Sequence, residues 1–598
     1  MRICHPYLVQ LGRVLTTIAC ITLVPCSALA NPALRGYANY ESYARQVGQL
    51  DRSEVVSASS LCKTLGGRDV FLLTMGVPPT DQKPALLIVG NVHEPHLVGA
   101  ELAMRIAQQL AEGYTKDESV KKLLAKYTFY IIPRPNPDGS EGLWSRPWRE
   151  RAGNDRRTDD DRDFRLGEDP PNDLNGDGWI TMMRVEDETG SYMPHSADGR
   201  VMVRADAQKN ERGSYRLYSE GVDDDRDERW NEDAGDGVSF NRNFTFRYPH
   251  FEPGAGPHAV SERESRAVAD FAFDHPNIAV VLTFTPEDNL MAPWRPSAAP
   301  PQGRIITSVL AADVPYFEFL SERYKKIHGG KGAPAPPTGA GSFSEWAYYH
   351  YGRWSLAARA WWPPAIAATE AKEPGKGDGK PAGEEKPAKP AAGDGAREKP
   401  KAETPDAQKR PEEKRGQEEL STLRWFAQQQ LDGFLPWTPI SHPDFPGKRV
   451  EVGGFRPFYR LNPPAQELDA LGEKHVRFVI ELSSLMPELK LPEPKVESLG
   501  AGIYRITSTV ANAGYLPTMS EMGSRSQQMH PLQMAIGLPE KGQVLQGPAR
   551  RAIGRLAGNG GRSQQTWLVR VPGRQPAVAT LRVWAPAVGS AERKIELK

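Results

Sequence analysis

The segment ALLIVGNVHEPHLVGAE, residues 85–101, joins an apolar run to a helical pattern through a polar turn. Its first five residues are continuously apolar, as in a strand that is buried on both faces. The apolar residues that recur every fourth position from Leu102 predict an amphipathic helix. Three polar side chains, His93, Glu94 and His96, therefore stand at the carboxyl end of a buried strand. Open α/β sheets place their chemistry at such strand ends.

The same alternation of strand-like and helical patterns extends over residues 31–367. The runs RDVFLLTM, YTFYIIPR, IAVVLTFT and WSLAARAWW predict further strands, and helical patterns lie between them. Strands that alternate with helices predict an α/β layer fold. Residues 150–237 are rich in acidic side chains and are predicted to be an insert in this domain.

The second half of the chain divides into three parts. Residues 368–417 consist mainly of Lys, Glu, Pro, Ala and Gly, a composition that predicts a disordered insert. Residues 418–490 include the helical pattern EKHVRFVIELSSLMPEL and are predicted to complete the α/β domain. Residues 491–598 hold alternating apolar and polar runs such as GIYRITSTVANAG and AVATLRVWAP, which predict a C-terminal all-β sandwich domain.

The N-terminus has the pattern of a secretory signal peptide. Arg2 and Arg13 precede the apolar stretch VLTTIACITLVPCSALA, and its last three residues fit a small-x-small cleavage site. Residues 1–30 are therefore predicted to be removed on export. Of the 4 cysteines only Cys62 lies beyond this segment, which excludes an internal disulfide in the mature chain. We predict an exported protein of a bacterial periplasm or of the extracellular space.

The composition argues against two classes of partner. Lys+Arg and Asp+Glu both number 75, so the chain lacks the positive net charge that would indicate binding to nucleic acid. No stretch after the signal peptide is apolar over the roughly 20 residues that a membrane-spanning helix needs, and we predict no membrane span.

Several motifs resemble, in order, those of the zinc carboxypeptidase family of the carboxypeptidase A type. GNVHEPHLVGAE is similar to its G-N-x-H-x-x-E-x-x-G-x-E motif, IIPRPNPDG to its N-P-D-G loop, and RPWRERA to its Arg-x-Trp-Arg segment. GVSFNRNF is similar to its Asp-x-Asn-Arg-Asn-Phe motif. The later segments SHPDFPGKRVEVGG and VANAGYLPT resemble parts of exported bacterial members. This resemblance implies a mixed eight-stranded sheet flanked by helices.

The family also implies a zinc site and a catalytic base, and this sequence departs from both. His93 matches the first zinc ligand, but His96 stands where the second ligand is a glutamate. The third ligand, a histidine, falls on Phe284 or Thr285, and the general base, a glutamate, falls on Arg359. A guanidinium stays charged, so Arg359 cannot accept a proton and would repel a metal dication.

Arg359 at the base position is predicted to point into the cleft near His93. A buried cation needs a partner or water, and Glu287, Asp288 and Glu94 are the candidates by motif position. Such an arrangement would keep a positive centre in the cleft without zinc.

Three residues of the family's substrate-binding set are retained. The resemblance implies that Arg149 polarises the scissile carbonyl and that Asn241 and Arg242 clamp the terminal carboxylate of a peptide. We therefore predict a pseudo-peptidase with a degenerate active site that binds peptide or protein C-termini without hydrolysis. The alternative is an active metallocarboxypeptidase that removes C-terminal residues through an altered zinc site at His93 and His96, with Glu287 or Asp288 as a third donor.

Two acidic stretches of the insert share the same spacing of Asp residues. DDDRDFRLGED (residues 159–169) and DDDRDERWNED (residues 223–233) carry Asp at their first, third and fifth positions, and DLNGDGWI lies between them. Oxygen donors at alternate positions are typical of calcium sites, although acidic runs are usually solvated loops. A further alternative is therefore a calcium-stabilised surface or scaffold module. The candidate calcium ligands are Asp159, Asp161, Asp163, Asp173, Asn175, Asp177, Asp223, Asp225 and Asp227.

Overall fold

The computed structural model describes residues 31–598 apart from 160–163, 168, 225, 227, 229, 232–236, 297–304, 338, 367–414 and 574–575. The predicted signal peptide, residues 1–30, lies outside the described residues. So does nearly all of the low-complexity stretch that was predicted to be disordered.

The described residues form helices and four sheets. In chain order, the strands that precede the C-terminal domain are β1 (Val56–Lys63), β2 (Asp69–Met75), β3 (Ala85–Val89), β4 (Thr128–Ile132), β5 (Met182–Glu186), β6 (Tyr192–His195), β7 (Asp198–Arg204), β8 (Tyr215–Ser219), β9 (Ile278–Phe284), β10 (Trp354–Ala358), β11 (Phe434–Ile440) and β12 (Val450–Phe455). The later strands are β13 (Leu489–Lys490), β14 (Lys495–Gly500), β15 (Ile503–Asn512), β16 (Leu532–Gly537), β17 (Gln543–Gln546), β18 (Arg550–Ile553), β19 (Gly561–Arg570), β20 (Ala577–Ala585) and β21 (Gly589–Leu597). The α-helices are α1 (Tyr40–Leu50), α2 (Val98–Lys116), α3 (Glu118–Lys126), α4 (Pro137–Gly142), α5 (Arg263–Asp274), α6 (Val314–His328), α7 (Phe343–Tyr349), α8 (Gln417–Gln429), α9 (Leu468–Ser484) and α10 (Glu521–Ser526).

The central sheet has the strand order β1-β2-β4-β3-β9-β10. The last four of these strands are parallel, and β2 and β1 are antiparallel additions at one edge. Along β3, Leu86 and Ile88 pack with α2, α6 and α9, whereas Leu87 and Val89 pack with α5 and α7 on the opposite face. The prediction of a mixed α/β sheet flanked by helices is confirmed.

The predicted number of eight strands is wrong, because the central sheet holds six strands of the described residues. The strands between β4 and β9 do not extend this sheet. They form a second sheet instead, in which β5 pairs with β12.

Two glycines bring the polar turn after β3 close to the sheet. A Cβ on Gly90 would lie 2.6 Å from the carbonyl oxygen of Gly99, and a Cβ on Gly99 would lie 2.7 Å from Cβ of Phe284. Such distances are shorter than real carbon contacts allow, so neither position accepts a larger residue without a backbone shift. The start of α2 is therefore held against the ends of β3 and β9.

The second sheet joins the acidic insert to the chain beyond the low-complexity stretch. Its order is β11-β12-β5-β8-β6-β7, so strands from the insert pair with β12. The two edge strands also meet, because the indole N–H of Trp437 in β11 donates to the carbonyl oxygen of Arg200 in β7 at 2.9 Å. We call this structure the curled sheet, because its two edges approach one another.

The C-terminal strands form two packed sheets, as predicted. One has the order β13-β15-β19-β17 with β14 beside β15, and the other has the order β18-β16-β20-β21. Their inner faces share one apolar cluster centred on Trp567, Leu581 and Val583, which are fully buried. The all-β sandwich follows from the strict alternation of apolar and polar residues along these strands.

No helix among the described residues combines the length and the apolar character that crossing a bilayer requires.

Candidate functional site

Four polar turns meet at the carboxyl edge of the central sheet. They follow β3, β4, β9 and β10, which are parallel neighbours and so end at one edge. His93 and His96 follow β3, and Arg359 follows β10. Thr285 follows β9, and its N–H donates to the carbonyl oxygen of Ala358 at 3.0 Å. The fold thus gathers residues that are far apart in the sequence.

Glu94 links the turn after β3 to two neighbouring loops. Its fully buried carboxyl accepts hydrogen bonds from Asn136 Nδ2 at 2.7 Å and from the N–H of Phe240 at 3.0 Å. Ser239 Oγ donates to its second oxygen at 3.3 Å. Burial raises the pKa of Glu94 to about 7, against the opposing effect of these donors. Glu94 therefore connects three of the motifs quoted above and does not pair with Arg359.

His96 is fully buried and points one ring nitrogen into the site. Its Nε2 lies 2.9 Å from the carbonyl oxygen of Arg359, which can only accept, so Nε2 carries the proton. Nδ1 is then a lone-pair acceptor, and it is buried without a hydrogen-bond partner among the described residues. Burial, with smaller contributions from the His93 and Arg359 charges, lowers the pKa of His96 to about 3. The imidazole is neutral.

The positive charge of Arg359 acts on both histidines. Burial and the Arg359 charge together lower the pKa of His93 to about 4. The backbone N–H of Arg359 donates to Asp288 Oδ2 at 3.2 Å, and the nearby carboxylates of Asp288 and Glu418 stabilise its charge. Nε of Arg359 is buried and has no hydrogen-bond partner in the described part of the chain. Glu418 belongs to α8, and the sequence patterns did not indicate its role.

Of the two candidates for the third ligand position, only Thr285 faces the site. Phe284 is fully buried, and its ring centroid lies 5.4 Å from that of His475 in the helical layer. Side chains alternate along a strand, so the next residue turns to the opposite side. The hydroxyl of Thr285 donates to Glu287 Oε2 at 3.1 Å.

Asn241 already has partners within the protein. Its Nδ2 donates to Glu287 Oε2 at 2.6 Å, and its Oδ1 accepts the N–H of Phe343 at 3.0 Å. Burial raises the pKa of Glu287 to about 7, while the Asn241 amide acts in the opposite direction. The amide that was predicted to hold a substrate carboxylate is thus bound by an internal carboxyl group.

The two retained arginines lie in different surroundings. Arg242 is partly buried, and its Nε has no hydrogen-bond partner among the residues described here. Arg149 lines a cleft of about 400 Å³ between the α/β domain and the curled sheet. The lining of that cleft includes neither Arg242 nor Asn241 nor His93. The predicted three-residue clamp is therefore not assembled in this cleft.

The residues at the sheet edge do not fit a three-ligand zinc site. The free Nδ1 of His96 has the orientation of a metal ligand, since the other ring nitrogen donates to a backbone carbonyl. However, Asp288 Oδ1 accepts two backbone N–H groups at 2.7 Å, and the Arg359 charge lowers the pKa of both imidazoles. Within the described ranges, no three His, Cys, Asp or Glu side chains converge to hold a metal. The described residues at this edge therefore do not supply the three donors that the family's zinc chemistry needs.

The predicted calcium loops use their carboxylates to close backbone turns. Asp173 accepts from the N–H groups of Gly176 and Gly178 at 2.8 and 2.7 Å, and Asp177 accepts from that of Trp179 at 2.9 Å. Asp223 likewise accepts from nearby N–H groups at 2.7 and 3.1 Å. Four of the candidate ligands lie outside the described residues, namely Asp161, Asp163, Asp225 and Asp227. Calcium binding stays a prediction.

Replacing Asp173 distinguishes its role in closing the backbone turn from a role in binding calcium. We expect Asp173→Ala to lower the free energy of unfolding by about 1 kcal/mol, because loop N–H groups lose their acceptor at a partly exposed site. Thermal melting is measured in chelator and then in millimolar calcium, with the exposed Glu41→Ala as a control. If calcium binds this loop, it raises the melting temperature of the parent and raises that of the variant less. Equal melting of variant and parent in chelator would contradict the structural role of Asp173.

Comparisons with known proteins found matches to two parts of the chain. Residues 40–198 match the family described as Zinc carboxypeptidase, and residues 488–596 match one described as Domain of unknown function (DUF8731). A zinc carboxypeptidase of Saccharothrix mutabilis subsp. capreolus is 31% identical over 113 residues, which are 18% of this chain and 26% of that protein. An inactive metallocarboxypeptidase of Arthroderma benhamiae is 32% identical over 99 residues, 15% of this chain and 17% of the relative.

The carboxypeptidase A of Helicoverpa armigera is one of the solved structures to which part of the chain is similar. It shares 14% identity over 56% of this chain and 66% of its own, with a TM-score of 0.35. The chain spans about a quarter of the length of the first curated relatives that it matches.

The six-stranded sheet, with polar turns gathered at its carboxyl edge, is the centre of an α/β domain. Within this domain, residues 40–198 match the family described as Zinc carboxypeptidase. That match includes His93, His96 and Arg149 and ends before Thr285 and Arg359, whose correspondence rests on the motif resemblance alone.

Proposed function

We propose that this protein is an exported pseudo-peptidase that binds peptide C-termini without hydrolysing them. One observation carries the proposal: Arg359 follows β10 at the sheet edge that bears His93 and His96, with its carbonyl oxygen 2.9 Å from Nε2 of His96, where the family's chemistry requires a metal and a base. A permanent cation repels a dication, and it attracts the terminal carboxylate of a peptide. The exported location rests on the N-terminal pattern, and sequencing the N-terminus of the secreted protein would test it.

Two arginines near this edge support carboxylate binding. Nε of Arg242 and Nε of Arg359 are both buried and lack hydrogen-bond partners among the described residues. An unpaired buried donor is unfavourable, and a ligand oxygen would satisfy it. Glu287 moderates the charge of Arg242 and holds Asn241, so a ligand that recruits Asn241 must displace that internal carboxyl.

A second candidate function is supported by His96. Its buried Nδ1 lone pair and its Nε2 donation to a backbone carbonyl are features of metal-ligating histidines. An active enzyme with an altered zinc site at His93 and His96 would need a third donor and the displacement of Arg359. This alternative predicts bound zinc, whereas the pseudo-peptidase does not.

Metal content separates the two candidates. We expect the purified protein to hold far less than one zinc per chain and to release no C-terminal residue from peptides. Elemental analysis after dialysis against zinc and a peptide hydrolysis assay measure these outcomes. One zinc per chain, lost on His93→Ala, would establish the metal site and overturn the proposal.

Peptide binding is tested with two peptides that differ only in whether the C-terminus is a free carboxylate or an amide. We expect an uncharged peptide with a free C-terminus to bind at least about tenfold more tightly than its C-terminal amide, because only the acid pairs with the guanidinium groups. Arg242→Gln should remove most of this preference, and the exposed Arg45→Ala serves as the matched control. Equal affinity for acid and amide would refute C-terminal recognition.

A further inference from the structure

The turn after β9 places a carboxyl group of the chain itself among the donors predicted for a ligand carboxylate. Oε2 of Glu287 accepts from Asn241 Nδ2 at 2.6 Å and from the Thr285 hydroxyl at 3.1 Å. Asn241 and Arg242 are the residues that the family resemblance assigns to the terminal carboxylate of a peptide. We call Asn241, Thr285 and the neighbouring Arg242 the carboxylate pocket. Glu287 thus uses a donor that a bound peptide would need.

The orientation of the Asn241 amide is fixed by a second contact. Its Oδ1 accepts the N–H of Phe343, the first residue of α7, at 3.0 Å. The other end of the amide can only donate, so Nδ2 is the end that faces Glu287. Asn241 is only 5% exposed, and a buried donor of this kind needs an acceptor oxygen. The pocket therefore presents a fixed donor to whichever carboxyl group occupies it.

Glu287 satisfies the pocket only in part. Both of its hydrogen bonds go to Oε2, and Nε of Arg242 is buried without a partner among the described residues. The charge of Arg242 acts on Glu287 but is the smallest of the effects on its pKa, after burial and the two hydrogen bonds. A carboxylate that bonded the guanidinium directly would gain a charge-assisted hydrogen bond. Such a ligand can therefore replace the internal one.

The pocket is accessible at the side chain of Glu287. Glu287 and Arg242 are both partly exposed, whereas Asn241 and Thr285 are buried. The loop before α7 lies against the same carboxyl group, since a Cβ on Gly339 would be 3.4 Å from Cδ of Glu287. A ligand that approaches from solvent therefore meets Glu287 before it reaches the amide of Asn241.

We propose that Glu287 is an internal ligand that occupies the carboxylate pocket and has to leave it before the C-terminus of a peptide binds. The inference rests on the proposed function, because it takes the terminal carboxylate of a peptide as the competitor. Binding then exchanges one carboxylate for another on the same donors. The parent protein binds peptides more weakly than the empty pocket would, because part of the binding free energy is used to displace Glu287.

Acetate tests the occupation of the pocket without a peptide. Glu287→Ala removes a methylene and a carboxylate beyond Cβ, which are the groups that acetate supplies. We expect about 50 mM sodium acetate, compared with equal sodium chloride, to raise the melting temperature of this variant by about 1–2 °C. The parent should not respond, because its pocket is filled. The turn remains anchored in the variant, since Asn289 Oδ1 accepts the N–H of Ala357 at 2.8 Å.

A double variant assigns the acetate effect to the pocket. Asn241→Asp, added to Glu287→Ala, keeps the oxygen that accepts the N–H of Phe343 and replaces the donor end of the amide by a second carboxylate oxygen. Like charges repel, so acetate should no longer raise the melting temperature.

Calorimetric titration of the full chain tests the competition with peptides. We expect Glu287→Ala to bind an uncharged peptide with a free C-terminus at least about tenfold more tightly than the parent, with no gain for the C-terminal amide. Glu287→Gln is the matched control, because it removes the charge and keeps both the side chain and an acceptor for Asn241. Its affinity should rise by less than about threefold, since salt screens the lost charge.

Three outcomes would overturn the inference. The first is an acetate effect that is absent from Glu287→Ala or equal in the parent. The second is an equal gain in peptide affinity in Glu287→Gln and Glu287→Ala, which would show that the charge of Glu287 opposes binding and its occupation of the pocket does not. The third is a parent that prefers the acid to the amide while Glu287→Ala gains nothing.

The proposed function is judged by a different measurement, the preference of the parent and of Glu287→Ala for the acid over the amide. If acetate stabilises Glu287→Ala and neither protein binds either peptide, C-terminal recognition fails. That result would still support Glu287 as the internal ligand of the pocket.

Discussion

Asp313→Ala is expected to destabilise the protein by about 3 kcal/mol, because it leaves several buried donors without an acceptor. The fully buried carboxylate of Asp313 joins the α/β domain to the C-terminal sandwich. It accepts from the N–H of Glu521 at 2.8 Å and from the hydroxyl of Tyr348 at 2.8 Å. Arg555 lies 3.5 Å away and compensates its charge. Truncation would therefore weaken the contact at the start of α10.

The midpoint of thermal unfolding measures this effect, and the loss corresponds to a decrease of about 6 °C. Glu318→Ala is the matched control, since Glu318 lies in α6 near Asp313 and its ion pair with Arg295 is exposed. The control should change stability by less than about 0.5 kcal/mol. An Asp313 variant with the same melting temperature as the parent would show that this junction contributes little to the free energy of unfolding.

Restoring the family's residues at three positions is expected to create a zinc site. The triple variant His96→Glu, Thr285→His and Arg359→Glu supplies two donors beside His93 and removes the cation that repels a metal. The structure favours Thr285 over Phe284 for this purpose, because Phe284 packs into the helical layer. We expect about one zinc per chain, compared with almost none in the parent, by elemental analysis after dialysis.

A fourth substitution controls for adventitious metal. Adding His93→Ala to the triple variant should return the zinc content to that of the parent, since two donors hold zinc weakly. Circular dichroism and thermal melting establish that the variants are folded. A folded triple variant without zinc would mean that the sheet edge no longer has the geometry of a metal site.

Local sequence patterns were enough to predict the main elements of the fold. The continuous apolar run of β3 requires burial on both faces, and the alternation along β15 and β20 requires burial on one face. These requirements concern residues close together in the chain, so the α/β domain, the C-terminal sandwich and the placement of His93 at a strand end could be predicted. The changes at His96 and Arg359 were also visible, because a motif with one altered residue is still recognisable.

Contacts between distant segments were decided only by the tertiary structure. The six strands of the central sheet could not be counted in advance, because β5 pairs with β12 across the low-complexity stretch. His96 donates to a carbonyl 263 positions away, and Asn241 binds Glu287, so two predicted ligand groups have internal partners. A hydrogen bond depends on where the folded backbone places its donor and acceptor, and side chains of suitable type are common along any chain. The sequence by itself thus placed His93, His96 and Arg359 at strand ends, and only the packing of the fold decided between Phe284 and Thr285 and brought Glu418 close to Arg359.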